Sequence, residues 1–151
     1  MPQIRYISIE EAKEIHQLTV KNSGGGSYGI LELERLESVL INIQNDDYYP
    51  TFLDKLVHLF FCVCKFHCFE DGNKRIAITL SADFLLRNGY LAVARQFFSY
   101  MENISYHVAA NHIDKVLLRK VLEAILNNTY ENDESLKLEI FNAISVEDKF
   151  Y

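Results

Sequence analysis

Apolar residues recur at three- and four-residue spacing along most of the chain, the period of one face of an α-helix. Ser8-Ile9-Glu10-Glu11 reads as a capping box, with Ser8 at the N-cap and Glu11 reaching back to it. Ile9, Ala12, Ile15, His16, Leu18 and Thr19 then carry an amphipathic helix to about Lys21, where NSGGGSYG breaks it. In ILELERLESVL, Leu33, Leu36, Val39 and Leu40 keep helical spacing. NIQNDDYYP is a polar connection, and Pro50 suits the start of the next helix. Between Thr51 and Phe66 the stripe of Phe52, Leu56, Leu59, Phe60 and Val63 is widened by Leu53, Phe61 and Cys64, which predicts a central helix. Ile76, Ala77, Leu80, Phe84 and Leu85 form another stripe, stopped at RNGY by Asn88-Gly89. Further helical patterns occupy roughly 97 to 109 and 112 to 127. A weaker one, Leu136, Ile140 and Ile144, follows NNTYENDES. There is no alternating strand, internal repeat or domain-boundary linker. The pattern predicts an all-α bundle with six to seven helices.

Composition narrows the picture. The chain has 151 residues, 49% hydrophobic and 24% charged, enough to bury a core without a disulfide or metal staple. Its formal net charge of -6 argues against a nucleic-acid backbone as the main partner, while leaving room for a local cationic pocket. The longest apolar run, LVHLFFCVC, is interrupted by His58 and too short to span a bilayer, and MPQIRYISIEEAKEI has no signal-peptide apolar stretch. A cytoplasmic, reduced protein without membrane attachment is the expectation. Cys62, Cys64 and Cys68 lack paired zinc spacing and read as buried thiols. His16 and His58 read as core-edge residues, and His107 and His112 carry no motif. GGGSYG matches a dinucleotide-binding glycine pattern, but a helix rather than a strand precedes it, so it reads as an interhelical loop.

One segment stands apart. HCFEDGNKR, residues 67–75, sets a histidine, two carboxylates, Gly-Asn and two cations between two apolar helices. If the first helix ends near Phe66 and the second begins near Asn73, the N–H groups of about Gly72 to Arg75 lack intrahelical partners and face the positive end of the helix dipole. That is an anion site, with Gly72 permitting close approach and Lys74 and Arg75 adding charge. Asp71 fits there as a magnesium ligand, and His67 as a base taking a proton from an attacking hydroxyl. The same residues also make an ordinary helix-capping turn with surface lysine and arginine. Physical chemistry alone leaves both open.

HCFEDGNKR resembles the signature of the Fic/Doc proteins, His-x-Phe-x-acidic-Gly-Asn-(Gly or Lys)-Arg. YISIEEAKEIH, LERLESVL, YPTFLDKLVHLF and DFLLRNGY are similar to segments of the death-on-curing, or Doc-like, members. The resemblance covers approximately residues 4 to 126, leaving 127–151 as an acidic linker and helical extension packed on the same domain. It implies a compact helical bundle and favours the site over the turn. It further implies that His67 is the general base, Phe69 anchors the loop, Asp71 binds magnesium, Asn73 braces the loop and contacts phosphate, and Gly72, Lys74 and Arg75 line the phosphate site. ATP and magnesium are the implied cofactors. Cys68 stands where many members have proline.

Two departures bear on the reaction. Members that transfer AMP usually carry glycine at the position of Lys74 and a second arginine at that of Ile78. The Doc-like pattern of lysine and no second arginine implies instead that ATP presents its γ-phosphate to a Ser or Thr hydroxyl of a target protein. In Doc that target is elongation factor Tu, so a translation factor and a companion antitoxin are the implied partners. NIQNDDYYP takes the place of the flap that aligns the target in many Fic proteins. Ser135 and Glu139 have the spacing of a self-inhibitory motif, but Ile140 breaks it, and a helix packing Leu136, Ile140 and Ile144 on the bundle is expected. The alternatives are AMP transfer, or a catalytically weak module that binds a nucleotide or protein partner.

Overall fold

A computed structural model describes residues 3–22, 33–66 and 73–145, with side chains from 20 to 22, 73 and 74 excepted. The described residues form seven α-helices and a single 3-10 turn, with no strand among them: α1 (Ile9–Asn22), α2 (Leu33–Asn42), α3 (Phe52–Cys64), α4 (Asn73–Arg87), α5 (Leu91–Ala109), α6 (Lys115–Leu126) and α7 (Glu134–Ser145), the turn being Tyr130–Asn132. None of these helices is long and apolar enough to cross a membrane. The fold is the all-α bundle that the hydrophobic period predicts.

α3 is the axle. It packs against α2, α4, α5 and α6, and buries Leu56, Leu59, Phe60 and Val63 almost completely. α4 lies between α1, α3 and α5, with Ile76, Ile78, Leu80 and Phe84 in the same core. Aromatic rings knit the ends: Phe52 stacks on Phe84 at 4.8 Å and on Tyr90 at 5.0 Å, and Phe60 meets Phe97 edge-on at 6.0 Å. Leu136 and Ile140 of α7 join the core beside α6, the face expected from their spacing.

The helix boundaries follow local chemistry. Ser8 and Glu11 exchange the two capping-box bonds, each 3.1 Å long. A second capping box opens α3, with Thr51 as N-cap and Asp54 returning its bond. Pro50 therefore precedes the cap rather than starting the helix. α4 ends in a Schellman turn: Tyr90 N–H donates to the Leu85 carbonyl (2.9 Å) and Gly89 N–H to that of Leu86 (3.2 Å), with Gly89 at φ 89°. α5 starts at Leu91, well before the expected position near 97. It follows directly from that turn with no side-chain cap at Tyr90, and its first residues are half or fully exposed, so neither a cap nor a stripe marks it. α6 begins at Lys115 rather than near 112, because Asp114 caps it through Leu117 N–H.

Lys55 is fully buried in α3, an unusual place for an ammonium. Its Nζ donates to the Ile43 carbonyl (2.7 Å) and to Asp46 Oδ1 (2.8 Å), and lies 5.6 Å from the centre of the Tyr6 ring. It thereby holds the 43–46 turn and the N-terminal segment to the central helix. Lys55→Met should cost about 2 kcal/mol in urea unfolding, because the Ile43 carbonyl loses its buried donor. Asp46→Asn, altering a side chain open to water, should cost less than about 1 kcal/mol. Equal losses would mean that the ion pair, not the carbonyl, is what matters.

Candidate active site

The signature segment leaves the end of α3 and returns at the start of α4. His67, Cys68, Phe69, Glu70, Asp71 and Gly72 lie outside the described residues, as do the glycine run of 23–32 and residues 146–151. What the structure gives is the frame that holds both ends. Lys65 N–H and Phe66 N–H close the last turn of α3 on the carbonyls of Cys62 (3.0 Å) and Val63 (3.2 Å), and the Phe66 side chain is buried. On the far side α4 starts at Asn73, with Lys74 in its first turn. The chain thus re-enters helix at the residue where the sequence places a helix N-terminus, with its unpaired N–H groups and positive dipole end.

Arg75 is exposed in the first turn of α4, and no carboxylate among the described residues pairs with it. It lines a groove of about 640 Å³ between α1, α4 and α5, with Thr79 and Asp83 on its own helix and Leu18 and Phe98 opposite. One turn on, Ile78 is 1% exposed and points into the core. The position that holds a second arginine in AMP-transferring Fic proteins is therefore part of the hydrophobic packing here.

NIQNDDYYP is a compact turn rather than an extended flap. Asp47 N–H bonds Asn45 Oδ1 (2.9 Å), Tyr49 N–H bonds the Asn45 carbonyl (2.9 Å), and Lys55 anchors Asp46. Tyr49 then reaches back to α3, its Oη 3.2 Å from His58 Nε2.

His58 sits in a cluster that periodicity alone did not foretell. Lys115 Nζ approaches its Nδ1 at 3.0 Å, and Cys62 Sγ lies 3.6 Å from both ring nitrogens. Burial first, and the Lys115 charge second, lower its pKa to about 4. The neutral ring accepts from Lys115 at Nδ1, which leaves Nε2–H to donate to Tyr49. This is the satisfied core-edge histidine that the sequence indicated, with partners from the turn before α3 and from α6. Cys62 is half-buried and Cys64 buried, both as free thiols, and burial pushes the Cys62 pKa up. His16 is buried too, and burial lowers its pKa. His107 and His112, unremarkable in sequence, come together with their Nδ1 atoms 2.9 Å apart because the α5–α6 turn folds back through Asn111 at φ 67°. Such pairing depends on loop geometry and leaves no spacing signal.

The possible inhibitory glutamate is engaged elsewhere: Glu139 pairs with Lys120 of α6 at 3.1 Å. No group of three or more metal-ligating side chains occurs among the described residues.

Comparison with known proteins gives one match. A family model described as the Fic/DOC family covers residues 6–85, just over half of the chain and all of the signature. No curated protein and no solved structure matches.

The lowered pKa of His58 has a consequence for pH. Its folded value near 4 lies below the ordinary value of 6.5, so in that interval the unfolded chain binds more protons. Stability is therefore lost as pH falls from about 6.5 to 4. His58→Gln, which keeps an acceptor and a donor, should flatten that fall in urea-unfolding curves taken across the window. An NMR titration of His58 with a midpoint near 6.5 would contradict the buried, neutral ring.

Proposed function

The chain belongs to the Fic/DOC family, and on that premise we propose that it is a Doc-like transferase moving the γ-phosphoryl group of ATP to a Ser or Thr hydroxyl of a target protein. Family membership brings a transferase of the Fic kind, a class that generally uses ATP with magnesium. The observation that carries the choice of phosphoryl over AMP is Ile78. It is packed into the core where AMP-transferring members place a cation, while Lys74 supplies charge earlier in the helix. The phosphates then lack the second arginine that holds the AMP-transferring pose.

In this reading His67 takes the proton from the acceptor hydroxyl. The freed oxygen attacks the γ-phosphorus, the bond from that phosphorus to the bridging oxygen breaks, and ADP leaves. Gly72 and the free N–H groups at the start of α4 cradle phosphate oxygens, Arg75 and Lys74 neutralise them, and Asn73 braces the loop. Phe69 anchors the loop in the core. Asp71 suits a magnesium ion, since a single carboxylate among phosphate oxygens is the hard-oxygen donor set that ion takes, and the ion would offset charge on the phosphates. Residues 4–126 form the Fic/Doc-like unit in this scheme, with 127–151 as its extension. A translation factor of the elongation factor Tu type is the proposed acceptor, and an antitoxin the proposed regulator.

Intact-mass analysis of elongation factor Tu after incubation with the protein, magnesium and ATP tests this directly. A gain of one phosphate, absent with His67→Ala, is expected. A gain of AMP would reverse the assignment of nucleotide pose made from Ile78. The Glu139–Lys120 pair leads to a further expectation. Glu139→Ala should leave the transfer rate unchanged within about twofold, whereas a self-inhibiting glutamate would release activity when removed.

A further inference from the structure

Beside the end of α3 that feeds the signature lies a groove of about 560 Å³ between α2 and α3. Its apolar floor includes Val39, Phe61 and Cys62, and it runs to Lys65 and Phe66, the last described residues before His67. Two ammonium groups flank Phe61: Lys65 Nζ, in the groove lining, is 5.4 Å from the ring centre, and Lys115 Nζ, which borders the groove through His58 rather than lining it, is 5.8 Å away. Neither has a carboxylate partner among the described residues. Lys65 is held by the Asn111 amide oxygen and Lys115 by neutral His58, so each ammonium is fixed in place by an uncharged partner. The α2 wall adds one charge of each sign, Glu34 and Arg35.

Elsewhere in this chain of net charge -6, cations that touch a neighbouring helix or turn meet an acid there: Lys55 meets Asp46, Arg87 meets Glu11, Arg119 meets Asp54 and Lys120 meets Glu139. Burial also lowers the pKa of Lys65, a cost that an arriving anion would relieve. We propose that this groove docks an acidic segment of the acceptor protein, with Lys65 and Lys115 reading its carboxylates and Phe61 its apolar side chains. The proposal rests on the transferase reading above and names the substrate feature that it leaves open: carboxylates close to the acceptor hydroxyl. Opposite charge meets opposite charge here, and the overall negative surface repels the same segment elsewhere.

The test measures binding without turnover. Two short fluorescein-labelled peptides each carry one threonine, flanked in one by aspartate and glutamate and in the other by lysine. Fluorescence anisotropy with the full chain, no nucleotide present, should show the acidic peptide binding at least tenfold more tightly, with affinity falling as salt rises. The double variant Lys65→Glu/Lys115→Glu should weaken it roughly tenfold or more, and Lys65→Gln/Lys115→Gln by an intermediate factor, covering the case in which charge reversal prevents folding. Binding of a fluorescent ATP analogue with magnesium should be unchanged in both variants. Equal binding of the two peptides, or full affinity in the variants, overturns the proposal. Loss of nucleotide rather than peptide binding also overturns it, by assigning the cations to ATP. Because no phosphate moves in this assay, acidic-peptide binding without any transfer would sink the transferase reading alone. His67-dependent transfer without acidic preference would sink only the docking groove.

Discussion

The apolar packing of α3 against α4 is the constraint on which this molecule depends. Two helices whose inward faces carry Leu56, Phe60 and Val63 on one side and Ile76, Leu80 and Phe84 on the other set where residue 66 ends and where residue 73 begins. Any chemistry of the intervening residues needs both ends held within about an ångström of a working geometry. Among the described residues, core packing is what holds those two ends. The remaining helices reinforce it: α1 and α5 flank α4, while α2 and α6 flank α3.

Electrostatics refine what packing sets. Capping carboxylates serve twice, since Glu11 closes the α1 capping box and pairs with Arg87 of α4 at 2.5 Å, and Asp54 closes the α3 box and reaches Arg119 of α6. These contacts lower the pKa of Glu11, chiefly through the Ser8 backbone bond, and tie helix starts to neighbouring helices. Arg75 stands beside the start of α4 and Lys65 at the end of α3, so a cation stands on each side of the segment where phosphate chemistry is proposed.

Much of this architecture was legible in the sequence because it rests on local rules. The Ser8–Glu11 box, the Asn88-Gly89 stop and the stripes of α3, α4 and α7 are all encoded within a few residues of where they act. The start of α5 was not, since Tyr90 offers no side-chain cap and Leu91 faces water. Lys55 was invisible for a different reason: it sits at a position where charge normally means solvent, and only the turn carrying Ile43 and Asp46 explains its burial. The His58–Lys115 contact likewise joins residues from separate helices. For the proposed site, the order of residues in HCFEDGNKR and the uncharged side chain of Ile78 could be named from sequence; that Ile78 is buried required the fold.

Asn88 does more than end a helix. Its side chain accepts from Arg5 N–H and donates to the Arg5 carbonyl, both at 2.9 Å, so the chain entering α1 is clasped to the exit of α4. With a rise of about 1.5 Å per residue, the fifteen-residue α4 places that clasp about 22 Å from Asn73 along the helix axis. The N-terminal segment is therefore anchored at the end of α4 opposite the one where transfer is proposed. Anything joined ahead of residue 3, whether a fused domain, an affinity handle or a surface tether, departs beside that clasp, at the end of α4 remote from Asn73.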